Sequence, residues 1–367
     1  MKKKMVSFMV AAVLTMGMLV TGCSTSNQTS GDGGDAAADE SGSGMGEVES
    51  LAPEPRELDE PLHIANVTAT MNTFYSLVDA GIREELERYG GDEVAVVDTY
   101  SPTSDTTMIE EQISFLETLL QDEDLDVLFF STHNDTEFIP YLEQFCENGV
   151  SVYLYNMPRQ DVSNNAYVSL VSYDFEEAGR LCGEWIKENL SDEDVKMLYI
   201  EGIEGTHNTT RTDGFMEGIE GADNIEIVVS QCGDWTREGG QTVTENALQS
   251  NPEINVVFGP YDEMPLGAIV ALKDAGRLND VTVVGYDCTE DGLNAIKAGE
   301  MAASVNTDAK QMGNNLIDAA IAHDLEGKEV DQEIMNELVM IDSSNADEIP
   351  EDNYEYTPQE KMYEVER

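Results

Sequence analysis

The residues best suited to chemistry in this chain stand just after short apolar runs. Asn72, Phe74 and Tyr75 follow Leu62–Val67, and Asn156 follows Val150–Tyr155. In the second half, Arg211 ends a segment that follows Lys196–Ile200, and Trp235 follows Ile225–Val229 after Gly233 and Asp234. Tyr261 and Asp262 follow Val256–Phe258, Asp287 follows Val281–Gly285, and Asn306 and Thr307 follow Ala302–Val305. Amides and carboxylates take adjacent hydroxyls, an arginine donates to oxygens, and flat aromatic rings cover C–H faces. Such a set describes a pocket for a neutral polyol. Taken singly, each residue has a plainer role open to it. Asp262 and Asp287 suit helix N-caps, Asn156 a turn, Trp235 a core and Arg211 a surface ion pair.

Other chemistries find little support. There is no Gly-x-Ser-x-Gly elbow, no Gly-x-x-x-x-Gly-Lys-Ser/Thr phosphate loop and no dinucleotide Gly-x-Gly-x-x-Gly after a strand. Cys23, Cys146, Cys182, Cys232 and Cys288 form no CxxC pair, and the four histidines form no HxxxH. That argues against zinc, and no cofactor is expected. Spacing leaves open whether Cys232 and Cys288 pair. The net charge of −55 excludes nucleic acid, which needs clustered cations.

The elements that must position these residues alternate. Strands are expected at the apolar runs named above and at Val94–Asp98, Val127–Phe130 and Tyr167–Val171, with amphipathic helices between them. In the first helix Phe74, Leu77, Val78, Ile82, Leu86 and Tyr89 recur at three- and four-residue steps. This β-α order predicts an α/β fold of two doubly wound, parallel-sheet lobes. Ligands of such sheets bind beyond the carboxyl ends of the strands, where the candidate residues lie. Ile334–Ile341 reads as one last pairing strand, and residues 346–367 as a loosely held acidic tail.

The N-terminus reads as an address. Three lysines within Met1–Lys4 precede an uncharged apolar run, Met5–Val20, too short for a confident membrane span. It ends in Leu19-Val20-Thr21-Gly22-Cys23, which resembles a bacterial lipobox: residues 1–22 would be removed and Cys23 lipidated. Residues 23–60, rich in Ser, Gly, Asp and Glu, read as a solvated tether.

From about Leu62 to Ala322 the chain resembles the sugar-binding group of the type I periplasmic binding protein superfamily. The resemblance rests on Gly233-Asp234-Trp235-Thr236-Arg237-Glu238, Asp262-Glu263-Met264 through Leu266-Gly267-Ala268, and Val283-Val284-Gly285-Tyr286-Asp287. It implies a lobe of residues 61–172 with 308–336, a second of 173–307 with 337–345, and a hinge of three strands between them. It also implies a monomeric, non-enzymatic receptor that delivers a sugar to the permease of an ABC importer, or alternatively presents it to a membrane kinase or chemoreceptor. By the same resemblance Phe74 or Tyr75 and Trp235 would sandwich the ring. Asn72, Asn156, Arg211 and Asp287 would hold its hydroxyls. Two positions depart from the pattern. Tyr261 replaces the usual Asn, and Thr307 stands at the hinge-adjacent amide position beside Asn306.

A lipidated Cys23 would hold the protein on the outer face of the membrane. Cys23→Ala is therefore expected to move it from the membrane to the soluble fraction. Unchanged sedimentation with membranes would refute the lipobox reading.

Overall fold

A computed structural model describes residues 50–103, 108–133, 136–158 and 165–365. Cys23 and most of the tether lie outside the described residues. The first sheet is formed by β1 (Leu62–Val67), β2 (Ala95–Tyr100), β3 (Val127–Phe130), β4 (Ser151–Tyr155), β5 (Ser169–Ser172) and β11 (Glu333–Met335), ordered β11-β5-β4-β3-β1-β2. The second contains β6 (Val195–Glu201), β7 (Ile225–Cys232), β8 (Val256–Phe258), β9 (Thr282–Asp287), β10 (Ala303–Asn306) and β12 (Val339–Asp342), ordered β12-β10-β9-β8-β6-β7. All pairings are parallel except β10 with β12. Central strands such as β3 and β4 are buried at every position, because helices cover both faces.

The first sheet carries α1 (Thr73–Tyr89), α2 (Met108–Leu119), α3 (Ile139–Glu147) and α9 (Ala309–Asp324). With the second go α4 (Phe175–Asn189), α5 (Thr206–Gly218), α6 (Arg237–Ser250), α7 (Glu263–Asp274) and α8 (Glu290–Lys297). Helices α4 and α5 meet backbone to backbone. A Cβ on Gly214 would lie 1.8 Å from the Glu176 carbonyl oxygen, and one on Gly179 2.1 Å from that of Arg211. No side chain fits there, so α5 is held close against α4. This close approach fixes the height at which Arg211 enters the inter-lobe space.

The chain passes from the first sheet to the second after β5, back after β10, and across again between β11 and β12. The expected single strand over Ile334–Ile341 is thus two short strands in different sheets. Asn336 explains the break, because a buried amide inside the apolar run turns its hydrogen bonds to the crossings. Its backbone N–H donates to the Ser172 carbonyl at 2.7 Å, and its Nδ2 donates to the carbonyls of Thr307 (3.0 Å) and Asp308 (2.7 Å). One residue therefore joins all three crossings.

Two segments expected to be loose are held. Instead of extending to Glu60 as a solvated tether, the chain is docked on the first lobe by Arg56. The Arg56 Nε pairs with the buried Asp324 carboxylate at 2.8 Å, while Nη1 and Nη2 donate to the carbonyls of Gly149 and Asp126. Three satisfied donors make a docked anchor of what composition alone reads as linker. The C-terminal tail is likewise pinned: the backbone N–H groups of Met362 and Tyr363 donate to the Arg88 carbonyl, and the Tyr363 ring lies 4.7 Å from that of Tyr89. Cys232 and Cys288 are both free thiols, the first exposed and the second buried, so no disulfide joins them.

Candidate functional site

At the carboxyl ends of both sheets, between the lobes, lies a cavity of about 380 Å³. From the first lobe it is lined by Thr70, Asn72, Phe74, Tyr75, Met108, Ile109, His133 and Asn156. From the second come Ile203, Glu204, Gly205, His207, Arg211, Trp235, Thr236, Tyr261 and Asp287. Eight of the eleven residues expected from sequence are brought together here. Asp262, Asn306 and Thr307 are not among them.

Each is held by a specific local device. The Asn72 side-chain oxygen caps α1 by accepting from the Tyr75 N–H at 3.1 Å, which sets Phe74 and Tyr75 at the cavity wall. The Tyr75 hydroxyl is already engaged, 2.9 Å from Ser131 Oγ and 3.1 Å from Asn156 Nδ2. Burial pushes its pKa up to about 12, so it stays neutral. Arg211 makes no surface ion pair. Its Nη1 donates to the Pro260 carbonyl and its Nη2 to the Tyr173 hydroxyl, each at 2.6 Å. Its guanidinium sits over the rings of Tyr286, Phe175 and Trp235 at 4.5, 5.0 and 5.4 Å. Trp235 is half-buried rather than core, and its indole occupies space that any side chain at Gly202 would fill.

Neither aspartate caps a helix through its side chain. Thr289 caps α8, and Asp262 precedes α7 without a side-chain cap bond. Asp262 lies behind the cavity as a junction. Its Oδ1 accepts from the Tyr286 N–H and Ser304 Oγ, its Oδ2 from the N–H and Oγ1 of Thr289. Burial raises its pKa to about 7, against the pull of those donors. Thr307 is also behind the wall, donating to Asp287 Oδ1 at 3.1 Å, and Asn306 Oδ1 accepts from the Asp308 N–H. Both therefore support the wall instead of lining it. Burial raises the Asp287 pKa, while Arg211 and Thr307 oppose the rise.

Backbone strain concentrates at these positions. Asn156, Trp235 and Asp287 have φ of 48°, 58° and 90°, in the left-handed region that non-glycine residues avoid. Each costs about 1–3 kcal/mol and persists only where surroundings over-determine it.

His133 and His207 were absent from the expected set. The rule that selects residues after strands applies equally to His133, three residues beyond β3, and His207 lies one helical turn before Arg211 on α5. Their rings are 4.8 Å apart across the cleft. His207 Nε2 lies 2.8 Å from the Asn156 carbonyl. A carbonyl only accepts, so Nε2 carries the proton and Nδ1 presents a lone pair.

Four buried polar atoms of the lining lack a hydrogen-bond partner: Asn156 Oδ1, His207 Nδ1, Arg211 Nε and Tyr261 Oη. Tyr261 Oη lies near Thr73 across the cleft without forming a good bond to it. The four supply two acceptors, one donor and one hydroxyl that does either. Arg211 and Asp287 offset one another in charge, and Glu204 is exposed at the rim. Among the described residues no three His, Cys, Asp or Glu side chains converge as metal ligands, and no helix is long and apolar enough to cross a membrane.

Two α/β lobes, three crossings and a polar cleft between them define a two-lobed solute receptor. Residues 64–329 match the family described as periplasmic binding protein domain, and the chain belongs to that family of receptors, which are not enzymes. It is 29% identical over 272 residues to the ribose import binding protein of Bacillus subtilis, covering 73% of this chain and 83% of that one. It is 36% identical over 148 residues to the ribose import binding protein of Haemophilus influenzae, covering 40% of this chain and 49% of the relative. The chain thus spans about half the length of that relative. A crystal structure from Mycobacterium smegmatis in complex with β-D-fucofuranose superposes with a TM-score of 0.71 at 28% identity, covering 78% of this chain and 93% of that one.

The histidine pair makes the closed cleft sensitive to acid. Burial lowers His133 to about 4, with Arg211 adding to the effect, and holds His207 well below its ordinary 6.5 for the same leading reason. Because the folded values are depressed, this stability is complete above pH 6.5 and is lost as pH falls towards 4. By pH 5 the loss reaches about 2 kcal/mol for His133, and His207 adds to it in the same direction. The melting temperature should fall between pH 7 and pH 5, and fall less in a His133→Asn, His207→Asn double variant. Parallel calorimetric scans of the two proteins check this; equal slopes would assign the effect to other groups.

Proposed function

We propose that the cleft binds a neutral monosaccharide or similar polyol, and that the lobes close over it by bending at the three crossings. The carrying observation is the set of four unpartnered polar atoms drawn from both lobes. A hydroxyl donates one hydrogen bond and accepts others, so two or three ring hydroxyls complete this set without bringing charge. Phe74 and Trp235 supply the apolar faces for ring carbons. Leaving a buried polar atom unpaired costs about 1–3 kcal/mol, which a fitting ligand removes. Only contacts made with both lobes at once favour closure, and Asn156 on one side with His207, Arg211 and Asp287 on the other provide them.

The ribose import binding proteins of Bacillus subtilis and Haemophilus influenzae and the β-D-fucofuranose complex support a sugar as the ligand class. In this reading the protein is the binding subunit of an ABC importer, tethered outside the cell membrane through Cys23, and passes its sugar to the permease.

Asp287→Ala and Trp235→Ala should each weaken sugar binding while the ligand-free fold survives. Losing the charged acceptor costs roughly 1.5–3 kcal/mol, about ten- to hundred-fold in affinity. Losing the indole should cost at least as much. Asp174, which caps α4 by accepting from the Glu177 N–H, is the control: Asp174→Ala should lower stability and leave affinity nearly unchanged. Calorimetric titration with D-ribose, D-allose and myo-inositol measures all three. Parent-like affinity in Asp287→Ala would remove the carboxylate from the site.

A further inference from the structure

The C-terminal segment touches both lobes. It leaves the second sheet after β12 and packs Ala346 into the core. The Tyr354 hydroxyl then donates to the carbonyl of Cys288 at 2.8 Å. Cys288 directly follows Asp287, and both have positive φ (49° and 90°). Over the next nine residues the chain is fixed to the opposite lobe. On the way, Lys310 Nζ of α9, itself paired with Glu84 at 2.9 Å, donates to the Glu355 carbonyl at 3.0 Å. The Thr357 N–H donates to Glu84 Oε1 at 2.5 Å and the Gln359 N–H to Glu87 Oε2 at 2.7 Å, while the Tyr356 hydroxyl bonds the Glu87 carboxylate. Tyr363 closes the run, its ring tilted against that of Tyr89, with the Arg88 guanidinium 5.3 Å away.

Helix α1, which receives this segment, is the helix whose N-terminus presents Asn72, Phe74 and Tyr75 to the cavity. One end of the segment therefore holds the loop that carries Asp287, and the other holds the helix that carries the first-lobe ring. Acidic residues of the tail and of α1 would repel each other if only net charge mattered. The contact works because α1 carboxylates accept from tail backbone N–H groups, bonds that any tail sequence without proline at those positions can offer.

We propose that Asn353–Val365 is a strap that holds the lobes in their closed arrangement, with Tyr354 a positioning residue for the Asp287–Cys288 turn. Contacts made to both lobes together are lost when the lobes separate, so the strap shifts the population towards closure before ligand arrives. Being covalently attached, it acts at high effective concentration and needs no strong individual contact. The strap deepens the reading of Asp287 as a ligand group, but its test uses no ligand, so the two fail separately.

In ligand-free protein, hydrogen exchange at the amides of Cys288 and Thr289 should speed up about five-fold in Tyr354→Phe, the effect of one lost hydrogen bond. Amides of β8 should be unchanged. A chain stopped after Tyr354 should show a larger radius of gyration by small-angle scattering than the complete chain, as the open population grows. Tyr354→Phe removes one oxygen and keeps the ring, so it decides the matter even if the shortened chain folds poorly. Unchanged exchange at Cys288 and Thr289 in Tyr354→Phe would overturn the positioning role. An unchanged radius in a folded shortened chain would overturn the strap.

Discussion

A buried polar atom needs a partner, and this molecule brings several together where the protein supplies none. Asn156 Oδ1 comes from the first lobe; His207 Nδ1, Arg211 Nε and Tyr261 Oη come from the second. They form no hydrogen bond with one another. Three belong to side chains whose other polar atoms are already committed: Asn156 Nδ2 to Tyr75, His207 Nε2 to the Asn156 backbone carbonyl, and the Arg211 Nη atoms to Pro260 and Tyr173. Those commitments freeze the rotamers, so the unpartnered atoms are aimed rather than loose. On the proposed reading, the cavity is thereby prepared for a solute that is small, polar on its edge and uncharged.

The rest of the fold maintains that arrangement. Backbone contact between α4 and α5 sets the position of Arg211 and His207. The Asp262 carboxylate gathers β9, β10 and the start of α8 into one block behind Asp287. Asn336 ties the three crossings, about which the lobes would rotate, with a few hydrogen bonds. Strain at Asn156, Trp235 and Asp287 marks the same boundary: the backbone is bent from its preferred regions where side chains must face the cleft.

Much of this was legible in the residues. Alternating apolar runs and amphipathic helices predict parallel sheets, and parallel sheets place ligands beyond their carboxyl ends; that rule finds Asn72, Phe74, Asn156, Arg211, Trp235 and Asp287. It misplaces Asp262 and Thr307 because position after a strand says nothing about which way a side chain turns, and both turn inward to support Asp287 and its neighbours. Asn336 was hidden because one amide within Ile334–Ile341 does not disturb a hydropathy pattern. The tail and Arg56 were hidden for another reason. Their holding bonds run to backbone carbonyls or use backbone N–H groups from segments far away in sequence, and composition carries no trace of such bonds.

The most direct test of the uncharged, hydroxyl-bearing ligand is a thermal-shift comparison across ligand charge. Full-length protein would be heated with D-ribose, D-allose or myo-inositol, and in parallel with D-gluconate or D-glucosamine. Ligand that binds only the folded state raises the melting temperature by mass action. A neutral compound is expected to raise it by about 5 °C or more near hundred-fold saturation, with the charged compounds leaving it unchanged. A rise produced only by the acid or the amine would contradict the match between cleft and ligand.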